Sequence, residues 1–230
     1  MTRDLLPVLG IGLVIGFRHA FEPDHMAAVT TLAGRHARLR EAWRLSLAWT
    51  MGHSATIGLV TAAVIVLGWR LPARFWPACE LAVALLLVGL GISVIVRTVR
   101  GRWHLHAHAH GGVPHVHVHS HAHGRGHEHV HPRADGRWAL GFGLMHGLAG
   151  SGAVIALLVA ATPTPLGQWS CLGAFALGTM CGMLVVASSL WGLVRVASTQ
   201  GAAWIVRLRL GSAVASVAVG AFVAVHTLAH

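Results

Sequence analysis

Apolar residues run through this chain in long blocks separated by short polar connections. Blocks of about 20 residues are what a helix needs to cross a bilayer. Six can be drawn: 5–32, 43–69, 75–96, 138–161, 166–194 and 204–228. The predicted fold class is all-α, a polytopic membrane protein of about six transmembrane helices. A connection of about 40 residues splits the blocks three and three. The expected domains are a first membrane half, 1–96, a histidine-rich loop, 97–137, and a second membrane half, 138–230. The halves share a weak internal likeness. His19 and Gly16 recur as His146 and Gly143 at an offset of 127, and Gly52 and His53 align with Gly178 and Thr179 at 126. Three spans per half, an odd number, would make such repeats inverted, an arrangement used by transporters with a site near the membrane midplane.

The pattern breaks once inside a block, at Gly16-Phe17-Arg18-His19-Ala20-Phe21-Glu22-Pro23-Asp24-His25. Ionisable groups at membrane depth are costly and usually line a pathway or a binding site. A position in the headgroup region is the plain alternative. It fits poorly, because Leu5 to Phe17 is too short to span alone and apolar character returns at Met26-Ala27-Ala28-Val29. On an unbroken helix Asp24 would sit about 140° from His19, and His25 about 120° away on the other side. Pro23 changes this: it has no N–H for the carbonyl of His19, and its ring clashes with that turn. A break between residues 19 and 24 would turn both imidazoles and the carboxylate inward and free a carbonyl. Non-helical backbone is tolerated at that depth where it lines a cavity. The competing reading is a structural kink with an internal His–Asp pair.

Composition agrees with the membrane reading: 55% hydrophobic, mean hydropathy +0.65 and 10% charged. The net charge of +10 is carried by arginine alone, without lysine. Such a charge could suggest nucleic acid, but the placement of the arginines excludes that as the leading reading. With six spans, Arg35, Arg38, Arg40, Arg44, then Arg97, Arg100, Arg102, Arg125, Arg133, Arg137, then Arg195, Arg207 and Arg209 fall on one side. Only Arg3, Arg70 and Arg74 fall on the other, so 13 face 3. That is the positive-inside pattern, and it puts the arginine-rich connections in the cytoplasm and both termini outside. Trp43, Trp69, Trp76, Trp103, Trp138, Trp169 and Trp204 fall near predicted helix ends, as an interfacial belt does. Cys79, Cys171 and Cys181 have no metal-type spacing and read as small apolar residues. The N-terminal block lacks a small-x-small cleavage site and carries Asp4, so it is expected to stay as the first span.

The candidate chemistry is that of a metal site. Imidazole with carboxylate suits Ni(II), Co(II) or Zn(II), whereas thiolate would favour Cu(I) or Zn(II). His19, Asp24 and His25 supply those donors. His53, between Gly52 and Ser54, and His146, before Gly147-Leu148-Ala149-Gly150-Ser151-Gly152, are further candidates. Either histidine could instead be a helix–helix hydrogen bonder, with its small neighbours allowing close packing. Glu22 and Arg18 are expected to tune charge or gate, and Arg18 to pair with Glu22 or Asp24. The 97–137 connection holds twelve of nineteen histidines: His104, His106, His108, His110, His115, His117, His119, His121, His123, His127, His129 and His131. Such tracts bind metal by composition, so these residues are candidates for auxiliary, exchangeable sites on a solvated spacer. His127, Glu128 and His131 formally spell H-E-x-x-H. A zinc protease is rejected, because that motif needs a packed helix and this one lies among Gly124, Gly126 and Pro132.

The first block resembles the nickel/cobalt transporter family, whose signature has the form R-H-A-x-D-A-D-H-I. Here it reads Arg18-His19-Ala20-Phe21-Glu22-Pro23-Asp24-His25-Met26. The H-x4-D-H skeleton is intact, with Glu22, Pro23 and Met26 as departures. Met51-Gly52-His53-Ser54-Ala55 resembles the second signature, L-G-H-S-T. The resemblance implies a metal-selecting role for His19, Asp24, His25 and His53. The family's later acidic signatures are absent, since nothing after Asp135 is acidic. Six spans also fall short of the eight in the larger members. The run after His146 looks like the short nickel permeases associated with urease.

The expected function is transport of Ni(II), with Co(II) as second candidate, across the cytoplasmic (inner) membrane in the uptake direction, and not enzymatic. The ion is cargo and no resident cofactor is expected. The expected partners are a divalent transition-metal ion and the lipid bilayer, with no nucleic acid. A gradient or an energising partner protein would drive it, and a homo-oligomer is the other partner considered. The rivals are a nickel/cobalt exporter conferring resistance and a membrane metal sensor or chaperone. An intramembrane hydrolase stands further off, because nothing suggests a substrate cleft.

Overall fold

The computed structural model of the protein describes residues 2–33, 38–67, 72, 74–100, 104–110, 113–119, 135–148, 159 and 162–229. The first block is two helices, α1 over Thr2–His19 and α2 over Pro23–Ala33, bent by 56° at the break. Pro23 is the first residue of α2. There its missing N–H would be unpaired in any case, and its fixed φ suits the start of a helix. The intervening turn is tight: Phe21 N–H donates to the Arg18 carbonyl at 3.0 Å and Glu22 N–H to that of His19 at 3.1 Å. The carbonyl expected to be freed at His19 is therefore occupied, because the turn closes on it with a three-residue hydrogen bond.

The remaining helices are α3, Leu39–Leu67, α4, Phe75–Val99, α5, Asp135–His146, α6, Pro165–Thr199, and α7, Ala202–Ala229. The protein is an all-α polytopic membrane protein: α3, α4, α6 and α7 are each long and apolar enough to cross a membrane, and the bent α1–α2 pair makes a fifth crossing if it is one broken span. Of the expected fourth block, α5 covers the beginning, and residues 149–158 lie outside the described residues. Large apolar side chains such as Leu59, Leu67, Phe222 and Leu228 are 70% or more exposed. In a bilayer, which offers tails as apolar as leucine, that outward face is satisfied. Thr164 starts α6, its Oγ1 accepting from Gly167 N–H at 3.1 Å just ahead of the helix-starting Pro165.

Part of the long connection, expected as a solvated spacer, is regular structure. Residues His104–His110 (β1) and Val113–His119 (β2) form an antiparallel hairpin that pairs His104 with His119, His106 with His117 and His108 with His115. Alternation every second residue is the period of a strand, and that outweighs the tract's low complexity. His121, His123, His127, His129 and His131 lie outside the described residues.

Helices pair across the sequence halves: α1 on α6, α3 on α5 and α4 on α7. Glycines make these seams, and they do so reciprocally. A Cβ at Gly16 would strike the Phe175 carbonyl, and one at Gly143 the Trp49 carbonyl. A Cβ at Gly178 would strike Leu13 and Phe17 backbone, and one at Gly52 that of Leu140 and Leu144. Each contact becomes its counterpart under a shift of 126 or 127 positions. In the third pair the shift is 129: Gly91 meets Ala213 and Val217, and Gly220 meets Ala84 and Val88. Backbones at this distance leave room only for hydrogen in place of a side chain, the small-residue logic of membrane helix contacts.

Two apolar clusters occupy opposite ends of the four-element bundle of α1–α2, α3, α5 and α6. One gathers Val29, Ala42, Leu45, Trp49, Ala139, Met183 and Val186. The other gathers Ile57, Val159, Cys171, Leu172 and Phe175. Between them lies a set of buried polar side chains.

Candidate metal centre

The break after α1 brings His19, the last residue of that helix, next to Asp24 and His25 in the first turn of α2. A carboxylate there is favoured by the helix dipole. Asp24 Oδ1 accepts from the His25 backbone N–H at 2.9 Å and lies 3.0 Å from His25 Nδ1. Its other oxygen, Oδ2, lies 3.0 Å from Nε2 of His146, the last residue of α5. Glu22 Oε2 lies 3.1 Å from His19 Nδ1. His53, from the middle of α3, puts its Nε2 3.1 Å from His19 Nε2. The structure thus brings together all five residues His19, Asp24, His25, His53 and His146, on four different elements. The four histidines are 3% exposed or less, and Asp24 is half-buried.

The carboxylates decide how the rings are set. A carboxylate oxygen only accepts, so the proton of His19 and that of His25 sit on Nδ1. Each ring is then left with the lone pair of Nε2 pointing away from its carboxylate. Orienting a ligand histidine through its other nitrogen is how metal sites fix tautomer and raise basicity. Two groups have metal-compatible spacing, with one donor atom from each residue within 4.8 Å of the others: His19, His25 and His53, and Asp24, His25 and His146. His25 belongs to both. Among the described residues, His25 Nε2 and His53 Nδ1 are buried without a hydrogen-bond partner. A buried nitrogen left so is costly unless something else meets it.

Arg18 departs from expectation. It is exposed, and among the described residues Glu22 pairs with His19, and Asp24 with His25 and His146, in place of Arg18. The turn brings Glu22 back to His19, and a long cationic side chain gains by reaching away from the apolar interior.

Aromatic rings wall the cluster, and sequence reasoning passed over them. Trp49 stacks on His53, with ring centroids 5.0 Å apart and planes 9° apart, meets His25 edge-on and lies tilted against His146. Phe175 lies 5.2 Å from the His19 ring. The available signal was the spacing: Trp49 is four residues before His53, hence on the same helix face, and Phe175 is its counterpart 126 positions on. Gly147 brings α5 against α3, where an added Cβ would lie 2.5 Å from the His53 carbonyl. Thr56 Oγ1 donates to the Leu144 carbonyl at 3.0 Å and ties the same two helices.

No protein-family model matches the chain, and no solved structure matches it. One curated protein is similar: urease accessory protein UreH of Bacillus sp. (strain TB-90), 35% identical over 88 residues. That stretch is 37% of this chain and 37% of the relative, so the chain matches little more than a third of the relative's length. The resemblance to the urease-associated proteins, first carried by short motifs, thus holds across a continuous stretch of sequence.

Proposed function

We propose that the protein carries Ni(II), with Co(II) as the alternative ion, across the cytoplasmic membrane in the uptake direction, by way of the buried histidine–aspartate cluster. The observation that carries this reading is the pair of buried nitrogens on His25 and His53, without partners among the described residues, inside a set of four imidazoles and one carboxylate. Such a set matches the donor preference of Ni(II) and Co(II). Similarity to a urease accessory protein supports the choice of nickel. His19, His25 and His53 offer three nitrogens, and Asp24 with His146 offers an oxygen and a fourth nitrogen. Asp24 also supplies the negative charge that offsets a divalent ion at membrane depth. Glu22 orients His19 and adds charge at the rim. Four long apolar helices and the broken pair support placement in the membrane. The arginine asymmetry supports a cytoplasmic histidine-rich connection.

The test is accumulation of radioactive nickel in cells expressing the protein, with cobalt and zinc as competitors. Asp24→Asn should abolish accumulation while leaving the amount of membrane-inserted protein unchanged. Nickel movement at the normal rate in that variant would refute the site. A fall in cell nickel on expression of the native chain would reverse the direction to export.

A further inference from the structure

We infer that a second site, away from the histidine cluster, binds an anionic phospholipid. A cavity of about 250 Å³ opens where the ends of α2, α4, α6 and α7 meet, and three arginines line it: Arg97, Arg207 and Arg209. None of its lining residues is acidic. Its hydroxyls are committed to their own helices: Thr30 Oγ1 donates to the Met26 carbonyl at 2.6 Å, Thr98 Oγ1 to Val94 at 2.8 Å and Ser212 Oγ to Arg209 at 3.0 Å. The guanidinium groups of Arg97 and Arg207 are therefore the donors offered to a ligand. The rest of the wall is apolar, formed by residues such as Leu190, Leu193, Ile205 and Leu208. Leu193 is half exposed.

A cationic end and an apolar wall in one cavity call for an amphipathic anion. Basic pockets between membrane helices on the cytoplasmic side take acidic headgroups in this way. All three arginines belong to the arginine-rich face, where a lipid of the cytoplasmic leaflet would present its phosphate. Arg207 lies over the Trp204 ring, 5.3 Å from guanidinium carbon to ring centroid, a cation–π contact that steadies its side chain. A zwitterionic headgroup would bring its own cation into this field, so phosphatidylglycerol is the expected class.

Full-length protein in detergent is offered phosphatidylglycerol or phosphatidylcholine, and retained lipid per chain is counted by native mass spectrometry. Phosphatidylglycerol should be retained and phosphatidylcholine lost. Each arginine removed should weaken retention about fivefold, so Arg97→Gln with Arg207→Gln should weaken it about 25-fold. Leu193→Trp, which keeps every arginine but fills the apolar wall, should also release the lipid, and it carries the test if the double variant does not fold. Equal retention of both lipids, or undiminished retention in both variants, overturns the proposal. So does inorganic phosphate bound as tightly as the lipid, or a second copy of the chain seated there instead.

Discussion

Gly143 and Gly141 sit two residues apart on α5 and have opposite surroundings. A Cβ at Gly143 would strike the carbonyl of Trp49, which is backbone and cannot swing aside, whereas one at Gly141 would meet nothing within 4 Å. Gly143→Ala should therefore cost about 3 kcal/mol or more, or prevent folding. Gly141→Ala should be neutral or add up to about 1 kcal/mol through helix propensity. Thermal unfolding of the two purified variants checks the contrast, and equal melting temperatures would show that the α3–α5 seam is looser than described. At this scale the sequence was informative about chemistry and blind to walls. His19, Asp24, His25, His53 and His146 stand out because charge and imidazole are expensive in apolar blocks. Trp49 and Phe175 do not, since an aromatic in an apolar run carries no mark of what it touches. Arg18 was misplaced because its pairing was expected from the charge balance around a divalent ion, while a three-residue turn decided which side chains meet.

The broken crossing and the hairpin show two opposite fates of an interrupted pattern. Pro23 was legible as a break because its constraints are local and covalent. The occupation of the His19 carbonyl was not, since it depends on how the chain turns afterwards. In the 97–137 connection, low complexity argued for a spacer, while the alternation of histidine with other residues obeyed strand periodicity. Deleting residues 104–119 removes both strands without touching a transmembrane helix. On the proposed reading this should raise the nickel concentration for half-maximal uptake severalfold and leave the maximal rate within about twofold, since the buried cluster remains. Uptake measured against nickel concentration checks this. A lost maximal rate with unchanged half-saturation would make the hairpin part of the transport machinery.

Across the whole molecule, contacts repeat between the first and second sets of helices, with partners exchanged. The weak sequence likeness at offsets of 126 and 127 was the visible trace of that relation. Its extent lay in backbone approaches that a sequence does not display, and the third pair follows a different offset, 129, which a fixed shift would miss. The two sets differ in chemistry: Thr179, the counterpart of His53, spends its hydroxyl on the Phe175 carbonyl at 2.9 Å. The proposed orientation, with the arginine-rich connections in the cytoplasm, makes its own prediction. In a variant whose native cysteines are replaced by alanine, cysteine at Gln200 should react with an impermeant maleimide only after permeabilisation. Cysteine at Pro163 should react in intact cells. The reverse pattern would invert the topology.

If the protein carries an ion as proposed, the two apolar clusters would set a limit on speed. An ion seated among the histidines would have a greasy plug on either side, Val29, Leu45 and Met183 in one direction and Ile57, Leu172 and Phe175 in the other. On the proposed reading, departure would wait for these side chains to part, and the slow step would belong to the plugs more than to the bonds the ion makes and breaks.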